Sequence, residues 1–189
     1  MRIATKTLAG IIVLAALVVI FDYTMKYSGF KIPFPWLPFL KFDFTGVPIV
    51  LSLLLFGLVP GAFTSSVAAL AILARSADIV GSSMKGLAEF STVLGMFIGI
   101  RLTNKFRLLV AFILGIATRV LVMTVANFAL IYFELMKISF VLLPLIGVFN
   151  VIQGSISIVG GYLIYTAIRK RVPPLTEDTT VKLESKHGS

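Results

Sequence analysis

Apolar residues run along this chain in six blocks, roughly 5–24, 48–59, 61–75, 87–100, 108–133 and 139–168, with the charges collected between them. A membrane-spanning helix needs about 20 predominantly apolar residues. The first, fifth and sixth blocks reach that length, and the second, third and fourth fall short. Between the second and third, "GLVPGAF" places Pro60 beside Gly61, which predicts a sharp turn there, because proline ends a helix and glycine permits the reversal. Short helices of this kind are tolerated in a bilayer where longer neighbours surround them. The pattern predicts an all-α integral membrane protein, with a six-helix membrane domain over 1–171 and a polar tail over 172–189 that reads as solvated and mobile.

Composition strengthens that reading. Of the 189 residues 58% are hydrophobic and 13% charged, against about one-quarter charged in an average soluble domain. A soluble fold would lack the polar residues to cover its surface. The first block follows Arg2 and Lys6 like the apolar core of a signal peptide, but the next residues, "TMKYS", offer no small-residue cleavage site, so a retained first helix is expected.

The net charge of +9 does not point to nucleic acid, because the cations gather at the ends of apolar blocks. Six crossings would put Arg2, Lys6, Arg101, Lys105, Arg107, Arg169, Lys170, Arg171, Lys182 and Lys186 on one side. Lys26, Lys31, Lys41, Arg75, Lys85 and Lys137 would be on the other. That ten-to-six bias predicts a multi-pass protein of the cell membrane with both termini cytoplasmic.

There is no cysteine, and the one histidine, His187, lies in the polar tail, which argues against a metal or haem site. No phosphate loop of the form G-x-x-x-x-G-K-S/T, no H-E-x-x-H and no Ser-His-Asp arrangement is found. Neither an enzyme nor a resident cofactor is expected.

Polar residues inside the apolar blocks carry the candidate chemistry, since each needs a partner in a membrane. The fifth block holds Arg119 and Asn127; the sixth holds Asn150, Gln153 and Ser157, which share one helix face at i, i+3 and i+7. Lys85 and Glu89 stand at the expected outer start of the fourth helix. Amides offer donors and an acceptor together and suit a neutral, planar, hydrogen-bonding ligand. The alternative is that Asn127 and Asn150 bond only each other across the two helices, and that Arg119 serves a buried pair or helix-end carbonyls.

The stretch "MKYSGFKIPFPWLPFLKFDFTG" between the first two helices carries Trp36, Phe42 and Phe44 among its aromatics and is stiffened by Pro33, Pro35 and Pro38. It reads as an aromatic belt at the interface, as a flap over a flat ligand, or as both. Lys41 and Asp43, just ahead of the second helix, mark its water-facing mouth, with Asp43 favoured by the helix dipole.

Taken together, "FPWLPFLKFDFTGVPIVLSLLLFGLVPGAF", "MKGLAEFSTVLGMFIG", "RVLVMTVANFALIYF" and "LLPLIGVFNVIQGSISIVGGYLIYTAIRK" resemble the S components of energy-coupling factor (ECF) vitamin transporters, especially their riboflavin-binding branch. The resemblance covers most of residues 5–171. It implies a six-helix substrate-binding subunit that takes a vitamin from outside, docks on a transmembrane scaffold subunit driven by two ATPases, and delivers its ligand by toppling in the membrane. It also implies amide contacts to riboflavin from Asn127 and Asn150. A lysine often found one turn after the second amide is Gln153 here. The family docks through Ala-x-x-x-Ala in its first helix, where this chain offers Thr5 and Ala9, with Ala15 and Ala16 further along.

On this reading the substrate contacts are Asn127, Asn150, Gln153, Trp36, Phe42, Phe44, Lys85 and Glu89, supported by Asp43, Arg119 and Ser157. Other ligands of the class, such as queuosine, biotin or pantothenate, are alternatives, and a carboxylated one would bring Lys85 or Arg119 forward. A structural membrane subunit without a ligand is the rival from another class. A proton or ion carrier ranks last, as no carboxylate lies mid-way along the fifth or sixth helix.

Overall fold

A computed structural model describes residues 5–135 and 138–171, apart from the Lys6 side chain. The 172–189 tail, with His187, lies outside the described residues. Six α-helices follow in order: α1 (Thr5–Tyr27), α2 (Gly46–Phe56), α3 (Leu58–Ser76), α4 (Ile79–Leu102), α5 (Arg107–Tyr132) and α6 (Leu143–Arg171). A single 3₁₀ turn, Phe140–Leu142, leads into α6. The all-α membrane architecture expected from the hydrophobic pattern is the one observed.

α2 is the middle of the bundle. Every residue from Gly46 to Leu53 is buried, and it packs against α1, α3, α4 and α6. Its 11 residues rise only about 16 Å, too little to cross a bilayer, and the surrounding protein makes that tolerable. Ile49, Val50 and Leu53 join Val18, Ala68, Val93, Met96, Ala111 and Ile158 in one core. By contrast, Ile12, Val59, Leu121 and Val125 are more than half exposed, the surface of a chain whose solvent is lipid.

Three expectations need correction. The turn between α2 and α3 falls at Gly57, at a φ of 95° that glycine adopts readily. Pro60 is the third residue of α3, within the first turn, where a missing N–H costs nothing. Second, α3 and α4 are not short: they have 19 and 24 residues, about 28 and 36 Å. α4 starts well before residue 87 because Asp78 caps it, its carboxylate accepting from the Gly81 N–H at 2.8 Å. The polar face of "SSMKG" hid that first part. Consequently Lys85 and Glu89 lie inside α4, not at its start. Third, the aromatic stretch is not merely a loop but an antiparallel β-hairpin, β1 (Ile32–Phe34) and β2 (Leu37–Phe42), joined through Pro35 and Trp36.

A lone two-stranded hairpin is marginal in isolation, and this one is held down by α6. Phe42 stacks on Phe149 with ring centres 5.0 Å apart, and Phe34 tilts against the same ring at 5.7 Å. Leu37 and Ile146 complete this second core.

α4 and α5 make the most extensive helix pair. Small residues allow it: a Cβ on Gly99 would fall 2.5 Å from the Ala111 Cα, and one on Gly95 would strike Thr118. Close backbone approach through small residues is how helices associate tightly where no hydrophobic drive separates them from lipid.

Candidate functional site

The hairpin, the first half of α4, and the facing sides of α5 and α6 enclose a set of buried polar side chains. Their placement follows from helix periodicity. α5 buries Ala111, Gly115, Arg119, Met123, Asn127 and Ile131, each four residues from the last. α6 buries Asn150, Gln153 and Ser157 on one face, as the sequence spacing predicts.

Asp43 begins a continuous charge network. Its Oδ1 accepts from the Lys85 ammonium at 2.8 Å and from the Thr45 hydroxyl at 2.6 Å, and Lys31 stands 3.8 Å from its Oδ2. Burial alone would raise its pKa, but Lys85, Thr45 and Lys31 outweigh burial and hold the carboxyl at about 2. Asp43 is therefore a buried ion, not the exposed rim charge expected from its position; Lys41, its neighbour but one, is exposed.

From Lys85 the network turns inward. Glu89 Oε1 lies 2.9 Å from Lys85 one turn away and 3.3 Å from Arg119 Nη1. These are close charge contacts without hydrogen-bond angles, and among the described residues neither Glu89 oxygen has a hydrogen bond. Arg119 reaches across three helices: Nε donates to Asn150 Oδ1 at 3.2 Å, and Nη1 donates to Thr92 Oγ1 at 3.1 Å and to the Ala88 carbonyl at 3.4 Å. Of the two alternatives for Arg119, the geometry contains the buried pair, with Glu89; the carbonyl it meets, Ala88, lies within α4 and not at a helix end.

A second ion cluster ties the hairpin stem to the bundle. Asp22 on α1, 1% exposed, accepts from Lys31 at 2.6 Å and from Arg75 on α3 at 2.9 Å. Lys31 joins the two clusters. Together they contain four cations, Lys31, Arg75, Lys85 and Arg119, and three carboxylates, Asp22, Asp43 and Glu89. Asp22, Lys31, Thr45, Arg75 and Thr92 were not singled out from sequence. The available signal was Asp22 itself, an acid at the end of an apolar run.

The amides have distinct duties. Gln153 binds the Asp43 peptide on both sides: its Oε1 accepts from the Asp43 N–H at 3.2 Å and its Nε2 donates to the Asp43 carbonyl at 2.8 Å. Asn150 and Asn127 do not bond each other. Each donates to a carbonyl one turn back in its own helix, Ile146 and Met123 respectively. The Asn127 Oδ1 accepts no hydrogen bond from any described residue.

Ser157 bonds the Gln153 carbonyl at 3.1 Å and packs on Gly46. Of the aromatics, Phe42 is half-buried, whereas Trp36 and Phe44 are 63% and 48% exposed. A cleft of about 120 Å³ opens beneath the hairpin between α1 and α6, lined by Met25, Phe30, Phe42, Phe44, Ile152 and Ile156 among others. It is smaller than the ~300 Å³ at which ligand pockets begin. Thr5, Ala9 and Ala16 all lie on the outward face of α1, while Ala15 is buried.

No protein-family profile and no curated protein matches the chain by sequence. Comparison of folds is decisive. The chain superposes on a solved structure described as the S component of a bacterial ECF transporter, with a TM-score of 0.77 and 24% identity over 88% of this chain and 97% of the other. The fold is that of an ECF S component.

Proposed function

We propose that this chain is the substrate-binding membrane subunit of an ECF-type importer and that its ligand is a neutral, planar vitamin, riboflavin before any other. The observation that carries the reading is the pairing of an S-component fold with Asn127 and Asn150, buried at 4% and 2% exposure on helices that pack together beneath an aromatic hairpin. The Asn127 carbonyl is an acceptor for an imide N–H, and the Arg119–Asn150 pair presents donors to a ligand carbonyl. Trp36 and Phe44, 63% and 48% exposed, are the ring faces open to a flat system.

The network favours a neutral ligand over biotin or pantothenate. Lys85 sits between two carboxylates and Arg119 beside one, so a ligand carboxylate would have to compete with ions already paired in a low-dielectric interior. The chemistry is binding without bond-making. The cleft beneath the hairpin is lined by neither Asn127 nor Asn150, so a ligand that reaches those amides requires the side chains between them and the cleft to move. The hairpin is held at both ends, its Asp43 base by Gln153 and the Phe34 and Leu37 that flank its turn by Ile146 and Phe149. The partners on this reading are a transmembrane scaffold subunit and two ATPases, with both termini of the chain in the cytoplasm.

The test is the visible and near-ultraviolet absorption of the purified, detergent-solubilised protein. Flavin bands that survive washing and vanish in Asn127→Ala/Asn150→Ala protein are expected. A colourless protein that also fails to take up added riboflavin removes that ligand. If no vitamin of the class binds and the double variant loses only stability, the structural-subunit reading replaces this one.

A further inference from the structure

We propose that the end of the bundle opposite the hairpin is a binding surface for the phosphate headgroups of anionic phospholipids. The packing fixes which residues meet there. Gly115 packs on Ile158 and Gly154 on Arg119, so α5 and α6 run antiparallel, and continuing that register brings Lys105 and Arg107 level with the last turns of α6. Gly99 packs on Ala111, which brings Arg101 level with the first turn of α5. Arg101, Lys105, Arg107, Arg169, Lys170 and Arg171 therefore share one end of a three-helix group, and all but the half-buried Arg107 are exposed.

Nothing among the described residues neutralises them. The described carboxylates are Asp22, Asp43, Asp78, Glu89 and Glu134, all in the hairpin half of the molecule, and the other three, Glu177, Asp178 and Glu184, fall in the tail outside the described residues. Glu89 is twelve residues from Arg101 along α4, about 18 Å, and is already paired with Lys85 and Arg119. A positive-inside bias accounts for the side on which cations fall, but it does not require three helices to assemble six of them at one place.

The surroundings select a lipid over an acidic protein surface. Leu102, Phe106, Leu108 and Leu109 are 67%, 58%, 47% and 57% exposed among the same cations. Arg101 lies over the Phe97 ring at 4.5 Å and Lys105 over the Phe106 ring at 5.8 Å. Interleaved apolar and cationic groups match the boundary between acyl chains and headgroups, where each basic residue gains attraction to anionic lipid. A water-soluble acidic face would leave the apolar members unmatched.

Native mass spectrometry of the full chain in detergent, titrated with phosphatidylglycerol or with phosphatidylcholine of the same acyl chains, tests this. Phosphatidylglycerol is expected to bind more tightly, less so at raised salt, and about tenfold or more weakly to Arg169→Gln/Lys170→Gln/Arg171→Gln protein. The same direction is expected for Arg101→Gln/Lys105→Gln, while Lys26→Gln/Lys41→Gln, at the hairpin end, leaves the preference intact. Unchanged melting by Trp36 fluorescence certifies that the variants fold. Equal binding of the two lipids, a preference that survives both inner-end variants, or an equal loss in the hairpin-end variant would overturn the proposal. So would variants that weaken only co-purification with a protein partner, which would assign the surface to an acidic protein face.

Discussion

Replacing Asp43 by asparagine removes one charge from the buried network without changing its shape. The native carboxyl has its pKa lowered from an ordinary 3.8 to about 2. The folded state therefore favours the anion by nearly two units, worth about 2 kcal/mol, or roughly thirtyfold in the unfolding equilibrium. Because the folded value is the lower one, this stability is complete above about pH 4 and is lost as pH falls through about 2. Asp43→Asn protein should therefore be less stable than native at pH 7, with the gap shrinking to about half by pH 3. Trp36, the chain's only tryptophan, sits on the hairpin that Asp43 anchors, so its fluorescence during unfolding in detergent reports the right part of the molecule. Every other carboxylate titrates in both proteins and drops out of the difference. A gap of the same size at both pH values, or none at pH 7, would refute the argument that the network's charge holds the hairpin.

Two further substitutions probe the same region by packing and by hydrogen bonding. A Cβ at position 46 would overlap Ser157 Oγ and come 2.7 Å from Glu89 Oε2, so Gly46→Ala should cost about 1–3 kcal/mol, and Ser157→Gly should restore part of it; no effect on melting would show that α2 can shift freely. Gln153→Ala leaves the Asp43 N–H and carbonyl without their partners, a loss of about 2 kcal/mol or more. It should speed proteolysis within residues 28–45, and an unchanged digestion pattern would contradict the anchoring role of Gln153.

The apolar blocks revealed helix number, order and membrane character, because lipid-facing surfaces must be hydrophobic whatever their partners are. They misplaced the start of α4 since its first two turns, "IVGSSMKG", dilute the apolar run with Ser82, Ser83 and Lys85, while the helix is started by the Asp78 cap, to which hydropathy is blind. The hairpin was hidden by its prolines, which ordinarily argue against strands; its stability comes from Phe149 on a helix more than a hundred residues away. In the site, the shared face of Asn150, Gln153 and Ser157 was visible as spacing. The identity of their partners was not, since Gln153 meets Asp43 across 110 positions and Arg119 finds Glu89 on another helix. Position along the chain also made Asp43 look exposed, when the lysine that neutralises it comes from α4.

The central helix has a consequence for how the protein is made. At about 16 Å, α2 is too short for the insertion machinery to recognise as a span on its own, and its Gly57 reversal commits it to arrive with α3. Partitioning into the bilayer and finding tertiary neighbours are then one event for α2, where for α1, α5 and α6 they are separate ones. Biogenesis of this chain should stall, or strand α2 at the membrane surface, whenever α3 is delayed, so the order of synthesis is itself part of what assembles the site.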